Sequence, residues 1–430
     1  MSSRIKSVLF VVVGLAGVVL PIAVWAQFAY LAEFLWPDSL YEFAQALSLV
    51  GFVLLFYQFV LSGRSRFVEE ALGLDRLIST HRRLGIAALA LILLHGVFIT
   101  VFELAIGALS VTVGKAIGVV AAILLVITAA TAILWKSLGW RYEQWKKIHY
   151  ANYVVLPAGL IHALMLGSTV RRSDLMRYYL IGLTVLFGIV VISRVARYIA
   201  ARKRPLRVTE VVPEAHDVTS IYFEGRKPEF KPGQFMMIRL EESGRYGEEH
   251  PYTISSSPTD ETLRISAKAS GDFSAGLRDV TAGARAVIEA PFGVFSYVSV
   301  PSDKLVFIAG GIGVTPFLSQ LRHMRATGAS REVRMIWGNK TQQDLSFADE
   351  LAAAEREVPG FSVTHVLSHE EWEGEHGFVD ADLIRRHVDQ PGEWHYMVCG
   401  PPVMMKAVFA ALKTLGVPSG QVHHERFALG

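Results

Sequence analysis

Six apolar stretches, each near the roughly 20 residues that cross a bilayer, dominate the first half of the chain. They lie near 7–33, 40–61, 83–103, 113–135, 149–168 and 176–199. Beyond residue 201 the pattern changes to short alternating runs: "LRVTEVV", "VTSIYFE", "QFMMIRL", "PYTISS", "TLRISAKA" and "RAVIEAP". A period of two predicts strands, here an antiparallel barrel of about six. From about 301 the spacing lengthens, and "KLVFIA", "VRMIWGN", "FSVTHVL" and "HYMVCG" alternate with helical stretches. That alternation predicts a small parallel-sheet domain. The fold class expected is an all-α membrane bundle of six helices, then a soluble antiparallel β-barrel, then an α/β domain. The expected domains are 1–200, 201–300 and 301–430.

Composition agrees with this division. The 430 residues are 52% hydrophobic, too apolar for an ordinary soluble protein. A net charge of +3 gives no reason to expect nucleic acid as a partner. The single cysteine, Cys399, excludes an internal disulfide and any four-cysteine metal cluster within one chain. The first apolar stretch has a signal-peptide aspect, with Arg4 and Lys6 before it and a passable cleavage site at Val24-Trp25-Ala26. Its continuation to Leu35 favours a retained helix.

Basic residues set the expected orientation. Arg64, Arg66, Arg76, Arg82 and Arg83 share one side with Lys136, Arg141, Lys146 and Lys147, and with Arg194, Arg197, Arg202, Lys203 and Arg204. That side is expected to be cytoplasmic, in an inner membrane, and to hold both termini and the soluble half. Arg171 and Arg172 depart from the pattern on the outside.

Of 14 histidines, four precede residue 200: His81, His95, His149 and His162. They fall in or at the ends of the third and fifth stretches, 14 and 13 residues apart, about 20 Å along a helix at 1.5 Å per residue. Ionisable groups in a membrane are costly and usually face a defined partner inside the bundle. The two helices run in the same direction, so His81 pairs in depth with His149 and His95 with His162. Two imidazoles at one depth make a six-coordinate haem site, and two levels make a stack of two. No C-x-x-C-H occurs, so both would be b-type haems. Thirteen residues leave His149 and His162 about 140° out of phase on a straight helix. Pro157, between them, is expected to kink and re-phase it. Arg82, Arg83, Lys146 and Lys147 stand near one level and Arg171 and Arg172 near the other; each could meet a haem propionate or snorkel to lipid headgroups.

In the soluble half, "GGIGVTP" follows an apolar strand and opens a helix. Glycines let the backbone approach a phosphate, and a helix N-terminus supplies N–H donors. Thr315 suits the N-cap and Pro316 the first helical position.

"HPYTISSSP", "SGDFS", "GGIGVTP", "CGPP" and "ERF" in this order resemble the ferredoxin–NADP reductase superfamily. With the four-histidine membrane half in front, nearly the whole chain resembles a transmembrane NADPH oxidase or ferric reductase. The resemblance implies that His250, Pro251, Tyr252 and Thr253 hold the flavin of FAD, and that Lys268, Gly271 and Ser274 hold its pyrophosphate. Gly310, Gly311, Gly313 and Thr315 would bind NADPH or NADH. Cys399, Gly400 and Pro401 would lie along the nicotinamide, and Phe427 would cover the flavin, although Ala428, Leu429 and Gly430 follow it. Lys340 matches a position where a basic residue meets the 2′-phosphate, which favours NADPH. Electrons would pass from NAD(P)H to FAD, through two haems, to O2 or a ferric chelate outside. Ile99 and Gln45 stand where oxygen-reducing relatives carry a histidine and an arginine, which weakens a dedicated superoxide generator. Delivery to a separate periplasmic partner protein is the alternative. No residue is expected to act as a general acid or base.

Overall fold

The computed structural model describes residues 3–29, 36–63, 65–140, 142–242 and 245–425. The chain forms two compact units, Met1–Ala196 and Arg197–Gly430.

The first unit is helical: α1 (Ser3–Phe28), α2 (Asp38–Ser62), α3 (Arg66–Leu72), α4 (Leu74–Ala105), α5 (Val113–Leu134), α6 (Tyr142–His149), α7 (Asn152–Leu166), α8 (Ser168–Arg172) and α9 (Asp174–Arg202), whose last turns enter the second unit. Among the described residues, six spans are long and apolar enough to cross a membrane: α1, α2, α4, α5, α6 with α7, and α9. Helix α4 begins well before the expected residue 83, because Arg76, Arg82 and Arg83 are good helix formers and need not end it. The short α3 is separated from α4 by Gly73, whose φ of +73° suits glycine.

The fifth span departs from expectation. Helix α7 runs through Pro157, and the interruption falls at Tyr150 and Ala151 instead. There Ala151 N–H donates to Ile148 O (2.9 Å), Tyr153 N–H to Tyr150 O (3.0 Å) and Val154 N–H to Ala151 O (3.0 Å). These i→i−3 bonds wind about 120° per residue instead of about 100°, and so supply part of the missing phase.

In the second unit β1 (Leu206–Ala215), β2 (Val218–Glu224), β3 (Phe235–Glu242), β4 (Arg245–Tyr246), β5 (His250–Thr253), β6 (Leu263–Lys268) and β7 (Arg285–Phe292) form an antiparallel sheet, with α10 (Asp272–Gly276) after β6. Its order is β4-β3-β7-β1-β2-β6, with β5 on β3. A bridge from Ile254 to Ile265 carries the end of β5 onto β6, so the pairing continues round to where it began. Leu206, Ile221, Met236, Ile238 and Ile265 fill the interior.

The remaining strands, β8 (Lys304–Gly310), β9 (Glu332–Asn339), β10 (Phe361–Leu367), β11 (Glu375–His376), β12 (His395–Cys399) and β13 (Val422–Glu425), form a parallel sheet in the order β11-β10-β9-β8-β12-β13. Helices α11 (Thr315–Thr327), α12 (Ala348–Glu357), α13 (Ala381–His387) and α14 (Pro402–Thr414) connect them. The chain proceeds one way from β8 and then jumps to its other side at β12. That places a topological switch between β8 and β12, where ligands bind at the carboxyl ends of such sheets.

Candidate redox centre and nucleotide crevice

Helix α4 packs along α2 and α7 along α5, and the histidines of α4 meet His149, which ends α6, and His162 of α7. The His81 and His149 rings have centroids 6.3 Å apart, and those of His95 and His162 are 6.1 Å apart. Two imidazoles bound end-on to one metal through bonds of about 2 Å lie roughly 6 Å apart by centroid. All four side chains are half-buried.

The ring nitrogens are arranged unequally. His95 Nδ1 lies 2.8 Å from the Ala44 carbonyl, and His162 Nδ1 lies 2.8 Å from the Gly114 carbonyl. A carbonyl accepts only from N–H, so the proton belongs on Nδ1 and Nε2 keeps its lone pair for a metal. At the other level Asn152 Nδ2 stands 3.5 Å from His149 Nδ1 and donates to the His149 carbonyl (3.1 Å), while Thr128 Oγ1 donates to Asn152 Oδ1 (3.0 Å). Among the described residues, no hydrogen bond reaches the buried His81 Nδ1. Trp145 packs on His149 at 5.2 Å and stacks on Trp135. These surroundings escape a sequence reading, since a backbone acceptor has no residue signature; the G-x-x-x-G spacing of Gly114 and Gly118 was the one available signal.

Arg82, Arg83, Arg171 and Arg172 are exposed, the first two directly after His81 and the others ending α8. Lys147 is exposed, and Lys146 lies over the Tyr142 ring. Gln45 is structural: its Oε1 accepts from Thr169 N–H (3.2 Å) and Thr169 Oγ1 (3.1 Å), and its Nε2 donates to Ser168 Oγ, tying α2 to α8. Ile99 is half-buried, one turn beyond His95 on α4.

In the antiparallel sheet, His250, Pro251, Tyr252 and Thr253 are the whole of β5. His250 stacks on Phe273 at 3.8 Å, and Tyr252 lies 6.3 Å from the same ring. Burial raises the Tyr252 hydroxyl well above its usual range, so it stays protonated. Gly271 and Ser274 open α10, where Ser274 Oγ accepts from Ser270 N–H (2.9 Å) and Gly271 N–H (3.1 Å). Lys268 Nζ sits between Asp217 (3.0 Å) and Asp344 (3.2 Å). Burial pulls its pKa down, but the two carboxylates outweigh that and leave it raised.

At the switch between β8 and β12, Gly310 and Gly313 meet Cys399, Gly400 and Pro401. A Cβ on Gly313 would strike the Cys399 carbonyl, and one on Gly400 would sit 3.1 Å from Gly310 N. Gly311 has φ +51°, and its carbonyl accepts from Trp337 Nε1 (2.9 Å), which pins the loop. The expected cap shifts: the loop winds as a 3-10 turn into α11, with Val314 as N-cap. Thr315 is thus the first helical residue, and its hydroxyl donates to Ile312 O (3.0 Å). Lys340 is exposed just past β9.

Two residues here were not anticipated. Asn339 is buried, and among the described residues neither polar atom of its amide has a partner, so it has bonding capacity to offer a ligand. Glu425 is buried and aligned with Cys399 across β12 and β13. Burial, and then Glu425, push the Cys399 thiol well above its usual range. Phe427 lies outside the described residues.

Residues 47–160 match the ferric reductase like transmembrane component, residues 203–321 an FAD-binding domain, and residues 307–409 the oxidoreductase NAD-binding domain. The glycine betaine monooxygenase reductase subunit of Chromohalobacter salexigens is 31% identical over 52% of this chain and 63% of its own. NADH-cytochrome b5 reductase 1 of Pyricularia oryzae is 32% identical over 36% of this chain and 52% of its own. The chain thus covers less than two thirds of these relatives. Among solved structures, the flavohemoglobin of Malassezia yamatoensis, with bound FAD and haem, aligns at a TM-score of 0.51 and 17% identity over 91% of this chain and 97% of its own, a likeness of fold alone.

Proposed function

Because this chain is a fusion of a ferric reductase-like transmembrane domain with FAD-binding and NAD-binding domains, of the ferric reductase and NADPH oxidase type, we propose that it carries electrons across a membrane. The donor is NADPH or NADH, the carriers are FAD and two b-type haems, and the acceptor beyond the membrane is O2 or a ferric chelate. The proposed domains are 1–200, 201–300 and 301–430. The proposed setting is the inner membrane, with both termini and the flavin side cytoplasmic. The observation that carries the reading is the meeting of His81 with His149 and of His95 with His162, each at about the spacing of two ligands on one metal.

When bound, FAD takes a hydride from the nicotinamide and the haems carry single electrons. The chain's own residues bind and orient. His81 with His149, and His95 with His162, would hold the two haems, which would supply one-electron transfer. The carbonyls of Ala44 and Gly114 hold Nδ1–H of His95 and His162, and so keep Nε2 free to bind. Arg82 and Arg83 are proposed partners for propionates at the first level.

For FAD, His250, Pro251, Tyr252 and Thr253 hold the flavin, and Lys268, Gly271 and Ser274 the pyrophosphate. Gly310, Gly311, Gly313 and Thr315 admit the nucleotide phosphates, Lys340 faces the 2′-phosphate of NADPH, and Cys399, Gly400 and Pro401 flank the nicotinamide. Phe427 is the proposed cover of the flavin.

A second reading, electron delivery to a separate partner enzyme, is favoured by the likeness to the Chromohalobacter protein, a monooxygenase reductase subunit. Purified protein given NADPH separates these readings. Superoxide-dismutase-sensitive dye reduction identifies O2 as acceptor, and ferric-chelate reduction identifies iron. Turnover of neither acceptor by a protein that holds both cofactors contradicts the first reading and supports the second.

A further inference from the structure

We propose that α5, which supplies no candidate ligand, orients His162 through Gly114 and Gly118, and that this glycine pair decides whether the His95/His162 site takes up its group. The inference rests on the two-haem reading above and adds positioning residues to it. Gly114 accepts from His162 Nδ1 at 2.8 Å. Gly118, one turn further along α5, faces the same ring. A Cβ there would lie 2.5 Å from Nδ1, 2.7 Å from Cε1 and 3.1 Å from Cγ.

Swinging away from residue 118 breaks the bond to the Gly114 carbonyl, and with it the protonation that leaves Nε2 free. Helix α7 also lies close against α5 at Gly114, where an added Cβ would sit 3.0 Å from Leu166 Cγ and 3.2 Å from Met165 Cβ. Small residues thus set both the approach of the two helices and the space for one imidazole. The effect is local to one level. His149 is held through Asn152 and Thr128. Gly96, beside His95, has nothing within 4 Å of an added Cβ.

The test compares full-length Gly118→Ala, Gly96→Ala, His149→Ala and His162→Ala by haem-to-FAD ratio and by the electron paramagnetic resonance of each low-spin haem. The expected result is a two-fold fall in haem per FAD for Gly118→Ala, with the signal lost in His162→Ala lost or shifted and the signal lost in His149→Ala intact. Gly96→Ala stays as the parent. Parent-like content and spectrum in Gly118→Ala overturn the proposal and leave the two-haem reading standing, and so does equal loss from both sites. A parent protein without haem, or a His162→Ala variant that keeps its full complement, overturns the two-haem reading itself and this proposal with it.

Discussion

At the scale of single residues, the chemistry depends on atoms that leave room or hold a proton. Gly313 shows the first kind: its missing side chain lets the glycine loop close on the Cys399 carbonyl. Overpacking such a contact costs about 1–3 kcal/mol, or roughly ten-fold or more in a binding constant. Gly313→Ala is expected to raise KM for NAD(P)H by about that factor with haem content unchanged, as measured by steady-state kinetics and haem spectra. An unchanged KM removes the crevice from the account. The histidines were legible because an imidazole within an apolar run is costly and therefore conspicuous. What holds them was not, because the acceptors are the backbone carbonyls of Ala44 and Gly114. Asn339 was equally hidden: only the fold reveals that its amide is buried and, among the described residues, unpaired.

At the scale of elements, the clasp between the two sheets of the soluble unit is ionic. Arg264 of β6, 2% exposed, forks onto Glu350 of α12 at 2.9 and 3.2 Å, and Glu350 also accepts from Arg322 of α11 (2.6 Å). Burial alone would raise the Glu350 carboxyl, but Arg322 and Arg264 outweigh it and hold it below the usual carboxylate range. A group whose pKa is lowered by folding contributes stability above its unfolded value, here 4.5, and loses it as pH falls through the folded value. Breaking a buried pair from one side costs about 3–5 kcal/mol. Glu350→Ala is therefore expected to lower the thermal midpoint of flavin release at neutral pH, and the gap from the parent should narrow below about pH 4.5. A gap independent of pH would mean that the carboxylate charge is not what matters. Long elements were legible from period and length. Strands β4 and β11, of two residues each, carry no usable pattern, and the interruption at Tyr150 and Ala151 has no proline to announce it.

At the scale of the whole molecule, the order of parts was readable because each half has its own hydrophobic period: continuous runs for the spans, alternation for one sheet, strand–helix spacing for the other. The switch between β8 and β12 was not readable, since strand order depends on which way each crossover packs. The acceptor was not readable either, because no residue pattern on the far side names a ligand. The central claim is that four histidines hold two haems at two separate levels. It is tested most directly by the haem-to-FAD ratio and reduced-minus-oxidised spectrum of the purified chain beside its four single histidine-to-alanine variants. The account predicts two b-type haems per FAD in the parent. His81→Ala and His149→Ala should lose the same spectral component, and His95→Ala and His162→Ala the other. A parent without the b-type band, or variants that keep both components, would contradict it.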